Sequence, residues 1–117
     1  MLETAAAAPA GAAPTFIGAA TVCPDMAELL SDEEIEERTP EEWERDGDEI
    51  VRTYEFDDYL DGVGFAAGAG GVAQDAFHHP EITIDYGAVE IRLTSHEEGG
   101  ITDRDVDLAE RFDGLVD

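Results

Sequence analysis

The sequence predicts an α+β domain: a four-stranded antiparallel sheet with helices packed on one face, in the order α-β-β-α-β-β-α. Two segments alternate apolar and polar residues with period two, at 49–56 and 81–94, and Gly87 breaks the second. Two others, at 57–76 and after Thr102, carry apolar or small residues at helical spacing. Each hairpin then offers one apolar face and each long helix one apolar stripe. Packing the stripes on the sheet is the economical way to bury both.

Each element has a local cause. Ser31-Asp32-Glu33-Glu34 is a capping box, and a short acidic helix follows to about Arg38. Thr39-Pro40 stops it. Trp43 to Asp46 reads as a strand entering a turn at Gly47-Asp48. Glu49 to Phe56 returns as its partner, with Ile50, Arg52, Tyr54 and Phe56 on one side. Asp57 or Asp58 caps the next helix, whose expected stripe is Tyr59, Val63, Ala66, Ala67, Gly70 and Ala73. Its glycines each cost up to about 1 kcal/mol relative to Ala, so packing must supply the stability, and small residues would let it lie close to a neighbour. Gly68-Ala69-Gly70-Gly71-Val72-Ala73 matches a loose dinucleotide-binding pattern but follows no adjoining strand, so it reads as packing. Ile82, Ile84 and Tyr86 face one way on the third strand; Val89, Ile91 and Leu93 do so on the fourth. Thr102 to Asp105 caps a last helix bearing Leu108, Phe112 and Leu115.

Charge narrows the function classes. The 117 residues hold 30 acidic against 6 basic side chains, net −24, and all the basic ones are arginine. Such a chain repels phosphate backbones and anionic membranes, so neither nucleic acid nor membrane is an expected partner. Hydrophobic residues make up 43% and fall in patterned runs, which argues for folding despite the acidity. At about 1 M salt the Debye length is near 3 Å, which suppresses carboxylate repulsion, so the composition suits a salt-loaded cytoplasm. Cys23, the single cysteine, excludes an intramolecular disulfide and fits a reducing interior. Residues 1–25 are rich in Ala, Pro and Gly and lack the basic start of a signal peptide. They are either a disordered extension or a mis-assigned one preceding a true start at Met26, with the domain spanning 26–117.

All three histidines lie in two short segments, His78-His79-Pro80 and His96. Imidazole exchanges protons near neutral pH. The residue before proline is extended, and adjacent side chains of extended chain point opposite ways, so His78 and His79 have different roles. A hairpin centred on Gly87 sets the start of one strand beside the end of the other, which brings His96 towards the pair. Three histidines at one rim favour a proton-transfer site over scattered surface caps. Adjacent histidines rarely bind one ion and Cys23 lies in the tail, so no metal is expected. Asp105 is read as a helix cap that could also orient a histidine. Arg92 and Arg104 are expected to pair with surface carboxylates.

At these residues the chain resembles the pterin-4a-carbinolamine dehydratase family. Its signature is an acidic residue, three spaces, His-His-Pro, an aromatic, a second His and then Asp. Here stand His78-His79-Pro80, Tyr86, His96 and Asp105, with Thr94-Ser95-His96, Gly99-Gly100-Ile101-Thr102, Trp43 and Tyr54 to Tyr59 also similar. The resemblance covers about 27–116. Gln74 stands where the family has the acidic residue, and Gln carries neither proton nor charge. The resemblance implies a helix-on-sheet fold and a homodimer or homotetramer. It also implies a hydro-lyase that dehydrates 4a-hydroxytetrahydropterin to quinonoid dihydropterin in pterin recycling, with pterin as substrate and no cofactor. By resemblance His78 and His96 are acid and base, His79 positions the pterin, and Asp105, Gln74 and Ser95 bind or orient. The alternative is a non-catalytic pterin-binding module for dimerisation or regulation, since an animal member assists a homeodomain transcription factor. Action on a different pterin is a further alternative.

Overall fold

The computed structural model describes residues 28–116. The expectations for residues 1–25 and Cys23 fall outside that range. Three helices, α1 (Asp32–Arg38), α2 (Tyr59–Ala76) and α3 (Asp103–Asp113), alternate with two hairpins. The hairpins are β1 (Glu44–Asp46) with β2 (Glu49–Glu55), and β3 (Glu81–Asp85) with β4 (Ala88–Leu93). All four strands join one antiparallel sheet in the order β1-β2-β4-β3, with the helices on one face. The expected α+β class and element order hold.

Strand register explains the core. Ile50 pairs with Leu93, Arg52 with Ile91 and Tyr54 with Val89 across the two central strands. These positions alternate towards the helices, and Ile50, Val89, Ile91 and Leu93 are fully buried there. Phe65, Ala66, Ala69 and Ala73 of α2 and Leu108, Ala109 and Phe112 of α3 complete the layer. Burying one Ile, Leu or Phe side chain stabilises the fold by roughly 1.5–3 kcal/mol, so this seam dominates.

Both ends of the short helix α1 and the start of α3 are closed by side chains. Ser31 N–H donates to Glu34 Oε1 at 2.9 Å and Glu34 N–H to Ser31 Oγ at 3.1 Å. Thr102 and Asp105 form the same reciprocal box on α3. The far end of α3 is tied to the sheet by Asp113. Its Oδ1 accepts from Trp43 Nε1 (3.0 Å), Arg52 Nη1 (2.6 Å) and Tyr54 Oη (2.6 Å). The Arg52 guanidinium also lies 4.2 Å from the Tyr54 ring centre.

Several sequence expectations are corrected. The buried face of α2 runs through Gly62, Phe65, Ala66, Ala69 and Ala73, whereas Tyr59 and Ala67 of the expected stripe face solvent. Small residues occur all round this helix, so their spacing does not fix its rotation. Close approach is needed only near Gly62, where an added Cβ would meet Val89 Cγ2 at 3.3 Å; Gly64, Gly70 and Gly71 face open space. Ile84 pairs with buried Val89, yet it is partly exposed because β3 is the sheet edge and α2 covers it only in part, while Tyr86 lies in the turn after β3 and is exposed. Leu115 lies past the end of α3 and is half exposed. The dinucleotide-like glycine run is the middle of α2. Among the described residues no helix is long and apolar enough to cross a membrane.

Candidate functional site

The β3–β4 pairing sets Glu81, at the start of one strand, opposite Arg92, at the end of the other. Residues just before β3 therefore meet residues just after β4. Between them is a cleft of about 330 Å³ lined by Phe77, His78, His79 and Arg104 on one side and Thr94 to Glu98 on the other. All three histidines line it. A larger hollow lies between α1 and Trp43, lined by Asp32, Glu36, Glu41 and Arg45 but by no histidine. Chemistry, not size, therefore selects the histidine cleft.

Helix α2 ends so as to turn its two histidines apart. Phe77 takes a left-handed conformation, φ 56° and ψ 41°. Its N–H and that of His78 fold back on the last turn, with His78 N–H donating to Ala73 O at 3.1 Å. Pro80 then favours extended chain. His78 is buried, whereas His79 is exposed. The His79 Nε2–H donates to Gln74 Oε1 at 2.9 Å, one helical turn back.

The other wall is a loop between β4 and α3. Ser95 N–H donates to Gly100 O (2.8 Å) and Gly99 N–H to Ser95 O (2.8 Å), with Gly99 at φ +83° making the turn. This loop carries exposed His96 and buries Ser95 and Thr102. His96 thus follows β4 within the loop instead of ending the strand.

Asp105 joins the two walls. It is completely buried, yet each carboxylate oxygen has donors. Oδ1 accepts from His78 Nε2–H at 2.6 Å. Oδ2 accepts from the Ser95 hydroxyl at 2.8 Å and from Thr102 N–H at 2.9 Å. Proton counting orders the rest. Ser95 gives its one hydroxyl proton to Asp105, so at 2.8 Å the Thr102 hydroxyl must donate to Ser95 Oγ. Thr102 Oγ1 in turn accepts from Arg104 N–H at 3.2 Å. With a carboxylate on Nε2, the neutral His78 ring is the Nε2–H tautomer, and Nδ1 is the nitrogen left to exchange a proton. The cap and orienting readings of Asp105 are one arrangement, because its second oxygen closes the helix while its first holds the imidazole.

Arg92 pairs with Asp46, Glu49 and Glu90. Arg104 departs from expectation: its guanidinium donates to the Phe77 carbonyl at 3.0 Å and lines the cleft. Sequence reasoning missed Phe77 and Arg104 as cleft residues, and Thr102 as part of the relay. The Thr102-to-Asp105 box was the one available signal. Among the described residues no three His, Cys, Asp or Glu side chains are grouped to hold a metal ion.

The family model described as pterin 4 alpha carbinolamine dehydratase matches residues 28–115, nearly the whole described range. The chain belongs to the pterin 4 alpha carbinolamine dehydratase family. Family members from two halophilic archaea, each provisionally named pterin-4-alpha-carbinolamine dehydratase, are similar at high identity. That of Haloarcula marismortui is 62% identical over 92 residues, and that of Natronomonas pharaonis 61% over 92; both matches take in 79% of this chain and all of the relative. A crystal structure described as a transcriptional coactivator/pterin dehydratase from Brucella melitensis superposes with a TM-score of 0.71 at 28% identity, over 75% of this chain and 98% of that one. A pterin dehydratase-like protein described as a RuBisCO assembly factor in the alpha-carboxysome shares the fold, with a TM-score of 0.52 at 19% identity over 62% of this chain and 84% of its own.

Proposed function

We propose that this chain dehydrates a 4a-hydroxytetrahydropterin to the quinonoid dihydropterin by histidine acid/base catalysis. The observation that supports it best is a single cleft holding three imidazoles, one of them locked by a buried carboxylate. In the reaction the C4a–oxygen bond breaks, an acid protonates the leaving hydroxyl, and the adjacent ring-nitrogen lone pair forms the new C=N bond. A ring nitrogen then gives its proton to a base, so water leaves and no electron is gained or lost. Both partners are needed near neutral pH, which suits imidazole.

His78 is assigned the base: Asp105 fixes Nε2, stabilises the imidazolium that forms, and leaves Nδ1 to receive the proton. His96, exposed on the opposite wall, is assigned the acid at the hydroxyl. His79, steadied by Gln74, is placed to position the pterin. Ser95 is only 2% exposed and is committed to Asp105 and Thr102, so its part is orienting. The pterin is the substrate, and this scheme calls for no resident cofactor. The protein would act as a homodimer or homotetramer in the cytoplasm, serving pterin recycling.

The test is turnover of a synthetic carbinolamine in molar KCl. His78→Ala and His96→Ala should each lower the rate about 10²–10⁴-fold, the usual worth of a general acid or base. Unchanged turnover in both would remove the mechanism. Gln74, which cannot carry charge, favours a second reading as a pterin-binding regulatory module; pterin binding with no rate above background would select it.

A further inference from the structure

Phe77 sits where a phenylalanine has no structural reason to be. It is the one non-glycine among the described residues with positive φ. That backbone region suits Gly, Asn and Asp, because a Cβ crowds the following carbonyl. The Phe77 ring is 72% exposed, so burial of the side chain does not offset that strain. The left-handed backbone ends α2, but an apolar ring held out in water adds nothing to that cap or to the core. Such an outlier at a candidate site motivates a functional reading.

The surroundings define that function. Phe77 lines the histidine cleft, and its ring meets His79 edge-on, with centroids 5.9 Å apart and planes at 71°. Arg104 donates to its carbonyl at 3.0 Å, which ties the strained residue to α3. Arg45, Arg52, Arg92 and Arg111 each pair with a carboxylate. Arg104 instead spends a donor on this backbone. The rim carries exposed Glu97 and half-buried Glu98 against the one guanidinium of Arg104, a balance that disfavours an anionic ligand. A flat, uncharged heterocycle suits the cleft, and an aromatic face attracts a flat ring by stacking.

We propose that Phe77 is a ligand-binding residue whose ring forms the stacking wall for the bicyclic ring of the pterin. This rests on the pterin reading above and adds the residue that sets preference for a planar ligand. Arg104 acts as its positioning residue, through the backbone.

Binding of a stable dihydropterin, followed by its own fluorescence in molar KCl, tests the proposal alongside thermal unfolding. Phe77→Asn suits the left-handed backbone, so its melting temperature should match or exceed that of the unsubstituted protein. Its affinity should fall roughly 5- to 150-fold, the range measured for loss of one ring–base stack. Phe77→Tyr, which keeps the aromatic face, should retain binding. Equal affinity in Phe77→Asn would overturn the proposal and leave the pterin reading intact. Weaker binding together with a lowered melting temperature, or equal loss in Phe77→Tyr, would assign a structural role and also overturn it. Absence of dihydropterin binding by the unsubstituted protein would overturn both.

Discussion

Replacing Asp105 by asparagine separates its two duties with almost no change in volume. The carboxylate takes three donors on two oxygens: His78 Nε2–H on Oδ1, and the Ser95 hydroxyl and Thr102 N–H on Oδ2. An amide has one oxygen. Directed at Ser95 and Thr102, it preserves two hydrogen bonds and the helix cap, and its NH2 then faces His78 Nε2 across the original 2.6 Å contact. Two N–H groups cannot meet there, so the imidazole must move its proton to Nδ1. Nδ1–H cannot accept the pterin proton. The expected loss is about 10²–10⁴-fold in dehydration rate, the range for a disabled general base. All three hydrogen bonds lose their charge assistance, so the substitution costs about 1–3 kcal/mol of stability. Asp105→Ala would be a poorer probe, since it also strands buried Ser95 and Thr102 donors. Turnover in molar KCl, thermal unfolding, and imidazole nitrogen chemical shifts together read the outcome. A folded Asp105→Asn protein that keeps full turnover, or that keeps His78 as the Nε2–H tautomer, would refute the assignment.

Two further expectations concern the fold. Burial, then the hydrogen bond to Asp113 and its negative charge, push the Tyr54 phenol well above its ordinary value of about 10, against a smaller opposing effect of Arg52. Because the folded pKa is raised, this contribution is fully present below about pH 10 and is lost as pH climbs towards the folded value. Alkaline titration should therefore show Tyr54 phenolate only as the protein unfolds. Tyr54→Phe should blunt that alkaline loss at a cost of about 1 kcal/mol at neutral pH, whereas reversible ionisation of all three tyrosines in the native state near pH 10 would contradict it. Salt should act in the opposite sense to that expected of a fold held by ion pairs. With a net charge of −24, repulsion outweighs the few arginine pairs, so melting temperature should rise from millimolar to molar KCl as the Debye length shrinks to about 3 Å. Identical circular dichroism and melting at both salts would dismiss that reading.

Local chemistry wrote the elements into the chain. Capping residues at Ser31 and Thr102, period-two alternation on both sides of Gly87, and Pro80 after the paired histidines act over a few residues, so they are readable without a fold. The hairpin argument also brings His96 beside His78 and His79, because strand pairing converts sequence symmetry about a turn into proximity. Rotation of α2 was not readable: with alanine and glycine on every side, tertiary contacts select the face that packs, Phe65 against Tyr54 and Phe56 and Gly62 beside Val89. The edge position of β3, which leaves Ile84 partly uncovered, follows from strand order, a property of the whole sheet. Tertiary packing alone decided that His78 is held by Asp105, that Asp113 gathers Trp43, Arg52 and Tyr54, and that Phe77 and Arg104 border the cleft. These contacts join residues 27 to 70 positions apart, and no short-range preference encodes a partner at that distance.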